Sequence, residues 1–160
     1  MTRYYKLPIR ILIPLLVLAL GASTGSIAQT RVIKVEPGVG TLNQTIDGDT
    51  TSTGEPIEPD NTVYELTPGG YYGLQGSLGR TSTLNIMAPE GPRAQLVPVV
   101  GDGGESSRPF RQRADMSLEN LYITGRDEAG GFNAQIIRIS ADSVHIRVNN
   151  CHLDFSSQQG

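Results

Sequence analysis

Residues 110–123 read Phe110-Arg111-Gln112-Arg113-Ala114-Asp115-Met116-Ser117-Leu118-Glu119-Asn120-Leu121-Tyr122-Ile123. Residues 137–153 read Ile137-Arg138-Ile139-Ser140-Ala141-Asp142-Ser143-Val144-His145-Ile146-Arg147-Val148-Asn149-Asn150-Cys151-His152-Leu153. The two stretches are versions of one unit. Phe110 matches Ile137, Arg111 matches Arg138 and Ala114-Asp115 matches Ala141-Asp142, all at an offset of 27. Leu118 to Ile123 matches Val148 to Leu153 at an offset of 30, which sets Asn120 opposite Asn150. The offset grows because Val144 to Val148 makes a longer strand than Met116 to Leu118. Each copy is a strand, a short polar link, a strand, a single Asn, a strand and a longer loop.

A unit of three short strands cannot bury an apolar face by itself. Stacked on its neighbours as a coil, each strand pairs with the strand above and below, and alternate side chains fill a central column. Alternation places Val144, Ile146, Val148 and Leu153 inward, and His145, Arg147, His152 and Asp154 outward. The asparagines fit the tight bend between the second and third strands. An inward Asn tolerates left-handed backbone and offers both donor and acceptor to groups that lose their ladder partners there.

Outward from this repeat, the chain is rich in Gly, Pro, Asn, Asp, Ser and Thr, with short β-branched runs between them. Such runs read as strands at Val63–Leu66, Leu84–Ile86, Gln95–Val100, Met116–Leu118, Leu121–Ile123, Ile136–Ile139, Val144–Val148 and Cys151–Phe155. One short helix is predicted over Thr41–Ile46, with Leu42 and Ile46 on one face. An antiparallel sandwich would want two-residue hairpin turns, and no Asn-Gly or Asp-Gly joins matched strands.

The N-terminus has another character. Arg3, Lys6 and Arg10 precede a ten-residue apolar stretch, residues 11–20, and then a small, polar run ending Ser26-Ile27-Ala28. The stretch is about half the ~20 residues that span a bilayer. Residues 1–28 are therefore predicted to be a secretory signal, with the mature chain starting at Gln29 and no stable membrane span left after cleavage. Its removal takes the formal charge from −3 to −6. An acidic chain without a basic run argues against a nucleic-acid partner. Cys151 is the only cysteine, so no internal disulfide forms, and it reads as a small buried apolar residue.

Several stretches resemble the pectate-lyase-like superfamily of right-handed parallel β-helices. Gly40 to Ile46 resembles the short capping helix that opens many members. Asn61 to Tyr72 resembles a first strand and its Pro-Gly-x-Tyr turn. Leu118 to Gly125 and Ala141 to Ile146 resemble coil segments, and Asn120 and Asn150 resemble the stacked asparagines. The resemblance covers about residues 32–155. It implies an all-β solenoid, a right-handed parallel β-helix with a short N-terminal capping helix. Residues 29–61 form its lead-in and capping segment and residues 62–160 its first coils, continued past Gly160 in a longer chain or covered by a partner. The predicted signal implies a secreted, periplasmic or cell-surface location. Function is less constrained, because the superfamily spans lyases, hydrolases, epimerases and adhesins.

The expected function is binding or lyase-like processing of an acidic polysaccharide; the rival is a non-catalytic surface or adhesin-type solenoid. Arg111 and Arg138 should stack about 4.8 Å apart on the outer face of the first strand. There, guanidinium groups suit carboxylates. Asp127 and Glu128, in the loop after the third strand, are the alternative partners of those arginines. His152 should stack on Tyr122, with Asp154 two residues on. The loops around Asp102 and Glu105 and around Asp127 and Glu128 hold the oxygen ligands that calcium would take, and no other cofactor or metal site is read. A lyase also needs a base beside its cation, and no complete constellation can be assembled. Asn120 and Asn150 are read as structural.

Overall fold

The computed structural model describes residues 30–156 except Gly103 and Glu105. The predicted signal segment and cleavage point and residues 157–160 lie outside the described residues, as does Glu105 of the Asp102 loop.

The described residues form twelve strands and one α-helix. The strands are β1 (Arg31–Val35), β2 (Gly38–Val39), β3 (Thr62–Leu66), β4 (Tyr71–Leu74), β5 (Leu84–Met87), β6 (Ala94–Pro98), β7 (Phe110–Gln112), β8 (Met116–Glu119), β9 (Leu121–Thr124), β10 (Ile137–Ile139), β11 (Ile146–Asn149) and β12 (His152–Asp154). The helix α1 spans Thr41–Gly48. Three parallel sheets result. One runs β1-β3-β5-β8-β11, a second β2-β4-β6-β9-β12, and β7 pairs with β10 in the third. This is a parallel β-solenoid of about four turns. The registers are those the repeat requires: Phe110 lies opposite Ile137, Leu118 opposite Val148, and Tyr122 opposite His152.

Inward side chains make one apolar column. Tyr64, Leu66, Tyr72, Leu84, Ile86, Leu96, Phe110, Leu118 and Ile123 are all buried. Helix α1 covers the column at its N-terminal end with Leu42 and Ile46. It starts where Gly40 takes a left-handed φ of 74°. Asn43 then ties it to the coil above: its amide donates to the Gln75 carbonyl at 3.2 Å and accepts from the Gln75 N–H at 3.1 Å.

At the other end no further strand covers the column among the described residues. Ile146 and Val148 sit in register with Met116 and Leu118, and Leu153 with Ile123. Their inward direction is as the alternation predicts, but their burial is not. Val148 and Leu153 are 41% and 44% exposed, and Val144 and Ile146 are half-buried, because no strand lies beyond β10, β11 and β12 among the described residues. Arg147 is exposed as expected.

Strand β1 lies inside the segment read as a lead-in. It pairs with β3 over its whole length, so the stack begins one layer before Thr62. The Arg31 guanidinium reaches both carboxylate oxygens of Asp49, at 2.6 and 2.8 Å, and the Tyr64 hydroxyl donates to the same carboxylate at 2.9 Å. This knot fastens the turn after α1 to the first two coils.

Candidate functional site

Asn120 and Asn150 lie one above the other as predicted, but only Asn120 is buried and Asn150 is exposed. The Asn150 side-chain amide donates to the Asn120 oxygen at 3.0 Å, and the Asn120 amide donates to the Pro89 carbonyl at 2.7 Å. Both residues adopt left-handed backbone, with φ of 55° and 49°. Arg93 closes the stack from outside, donating to the Asn150 carbonyl at 2.8 Å and to its side-chain oxygen at 3.0 Å.

Arg111 and Arg138 lie directly opposite each other on β7 and β10, both exposed. Their strands are aimed by the inward residues: Phe110 is fully buried, and so is Gln112. The Gln112 amide donates to the Ser82 carbonyl at 2.9 Å and its oxygen accepts the Arg80 N–H at 3.0 Å, so one polar residue inside the column holds the link below β7. Two clefts border these strands. One, of about 350 Å³, is lined by Ser77, Gly79, Arg80, Thr81, Arg111 and Arg113. The other, of about 500 Å³, is lined by Arg108, Ala134, Gln135, Ile137, Arg138 and Ile139. Arg80 also lies 5.8 Å from the centre of the Tyr64 ring, and Arg108 donates to Gln135 at 3.1 Å.

Neither loop acid pairs with these arginines. Asp127 is buried and accepts the Ser106 hydroxyl at 2.7 Å and the N–H groups of Ala129 and Gly131 at 3.0 and 2.7 Å. The Ser106 bond, followed by the loop N–H groups, holds its carboxyl below the usual aspartate range. Asp127 thus clips two successive loops together. Glu128 is exposed. Among the described residues, Arg111, Arg113 and Arg138 form no ion pair.

Tyr122 and His152 occupy another face, on β9 and β12. Their ring centres are 5.4 Å apart. The Tyr122 hydroxyl donates to Asp154 at 3.4 Å, and the His152 Nε2 lies 3.7 Å from the same oxygen. The candidate residues therefore fall into an arginine pair, an aromatic pair with Asp154, and a loop clip, which do not converge on one centre. His145 is highly exposed, with Nδ1 3.4 Å from Asp115. Cys151 is half-buried, donates to the Asn149 carbonyl, and burial pushes its thiol up.

Among the described residues, no three His, Cys, Asp or Glu side chains converge as metal ligands. No helix among them is long and apolar enough to cross a membrane. No protein-family model, curated protein or solved structure matches the chain.

Proposed function

We propose that this protein is an exported solenoid of the right-handed, pectate-lyase-like kind, and that it binds an acidic polysaccharide along the β7–β10 face. The observation that supports this is the set of arginines at positions 111, 113 and 138, exposed on one face without acidic partners in a chain of net negative charge. Like charges in register on neighbouring strands repel. A polyanion lying along the solenoid axis relieves that repulsion, because each guanidinium can hold a carboxylate through paired hydrogen bonds. The clefts lined by Arg111 and by Arg138 give such a chain room beside these strands.

The second reading is a surface or adhesin-type protein that binds without cutting. It is favoured by the lining of the two clefts, which offers guanidinium, hydroxyl and amide groups but no carboxylate, lysine or imidazole to act as a base.

Affinity electrophoresis through polygalacturonate, alginate and a neutral glucan separates these outcomes. The uronate polymers are expected to retard the protein, less so as salt screens the charges. An Arg111→Ala/Arg138→Ala variant should bind on the order of tenfold more weakly. Equal retardation by neutral and acidic polymers, or no loss in the double variant, would remove the proposal. Appearance of unsaturated uronate product decides for a lyase; binding without product decides for the second reading.

A further inference from the structure

The outer face of the second sheet carries a ladder that the arginine face does not explain. Tyr71 on β4 is in register with Gln95 on β6, Gln95 with Tyr122 on β9, and Tyr122 with His152 on β12. All four point outward. Tyr71, Gln95 and His152 are exposed and Tyr122 is half-buried. A soluble solenoid needs only polar groups here. Instead, aromatic rings recur on alternate coils, with an amide between them.

We propose that this column is a second carbohydrate surface, which takes an extended chain of neutral hexoses running along the solenoid axis. Tyr71 and Tyr122 stand two coils apart, about 9.6 Å at ordinary strand spacing. That is comparable to a disaccharide in an extended β-linked chain, so alternate sugars meet a tyrosine. The C–H face of a pyranose is electropositive and suits the negative face of an aromatic ring. Gln95, between the rings, has both donors and an acceptor for the hydroxyls of the intervening sugar. His152 extends the column by one more ring.

Charge separates this face from the arginine face. Asp154 stands beside Tyr122 and His152. After desolvation, the next cause raising the Tyr71 hydroxyl is the charge of Glu128, and for Tyr122 it is the charge of Asp154. Both hydroxyls are thus protonated donors near neutral pH, with carboxylates close by. The ladder itself contains no lysine or arginine, and Arg93 at the bend is bonded to Asn150. A uronate would be repelled, whereas a neutral chain would not.

The test uses the purified protein with cellohexaose, hexagalacturonate and a chitosan hexamer in isothermal titration calorimetry. Saturable binding of cellohexaose is expected, weakened on the order of tenfold by Tyr71→Ala or Tyr122→Ala. Tyr122→Phe keeps the ring and should retain most of the affinity, and Arg111→Ala/Arg138→Ala should leave cellohexaose binding unchanged. Circular dichroism of each variant checks that the solenoid persists. Absence of cellohexaose binding, binding of the chitosan hexamer alone, or undiminished binding by both folded tyrosine variants would overturn the proposal. The uronate arm reports separately on the arginine face, so either reading can fail without the other.

Discussion

Two buried polar residues show how single side chains hold this solenoid. Asp49 accepts from Arg31 and Tyr64. The Arg31 hydrogen bond is the main reason its carboxyl lies below the ordinary range, and burial opposes it. Its folded pKa is therefore lower than the unfolded value of about 3.9. Linkage then makes its contribution fully present above that unfolded value and lost as pH falls through the folded one. Asp49→Asn should cost on the order of 2 kcal/mol near neutral pH, and the gap from wild type should close in strong acid. Thermal melts across the acid range check this, and a gap that stays constant would refute it. Asn120 makes a different case. Asn120→Leu loses the bonds to Pro89 and Asn150 and forces a bulky residue into left-handed backbone, at about 2–4 kcal/mol. Asn120→Gly keeps the backbone free and should cost less in urea unfolding. If both variants lost the same stability, the left-handed conformation would not matter.

Within one coil, β7 depends on the glycine beneath it. A Cβ on Gly79 would stand 2.3 Å from the Arg111 carbonyl oxygen, a backbone atom that cannot swing aside. Gly79→Ala should cost about 1–3 kcal/mol by overpacking and weaken uronate binding by displacing Arg111. Gly48→Ala meets nothing within 4 Å and should be neutral or slightly stabilising. Denaturant melts and affinity electrophoresis on both variants read the contrast. The same local geometry explains what was legible in the sequence. The stacking of Arg111 on Arg138 and of Asn120 on Asn150 follows from two matched copies. The ladder through Tyr71 and Gln95 does not, because its steps are 24, 27 and 30 residues, so no constant period marks it. Strand β4 was missed because it follows a Gly-Gly turn and contains Gly73, and only its neighbours define it as a strand. Strand β1 alternates, but only its pairing with β3 makes it part of the stack. Arg93, Gln112 and the Asp49 knot join residues far apart in sequence, and residue type alone carries no sign of such partners.

At the scale of the whole molecule, the two ends of the column are treated differently. The N-terminal end is covered by Leu42 and Ile46 of α1, both buried. The opposite end presents Ile139, Val148, Leu153 and Phe155, each between 41% and 47% exposed, together with Phe132 at 56%. Phe132 and Phe155 pack 6.3 Å apart, and Arg126 lies near both rings. The outer edges of β10, β11 and β12 are unpaired among the described residues. An apolar face bordered by open strand edges is a template for pairing with another strand layer. Residues 29–160 expressed alone should therefore associate with rising concentration, and sedimentation velocity should show species larger than monomer. Val148→Lys/Leu153→Lys places charges on that face at positions already exposed, so it should shift the population toward monomer with little change in unfolding midpoint. The proposed arginine face is formed by outward residues of β7 and β10, not by Val148 or Leu153, so retardation by polygalacturonate should survive in this variant. If residues 29–160 stay monomeric at high concentration and melt cooperatively, the last described coil is stable without a further layer.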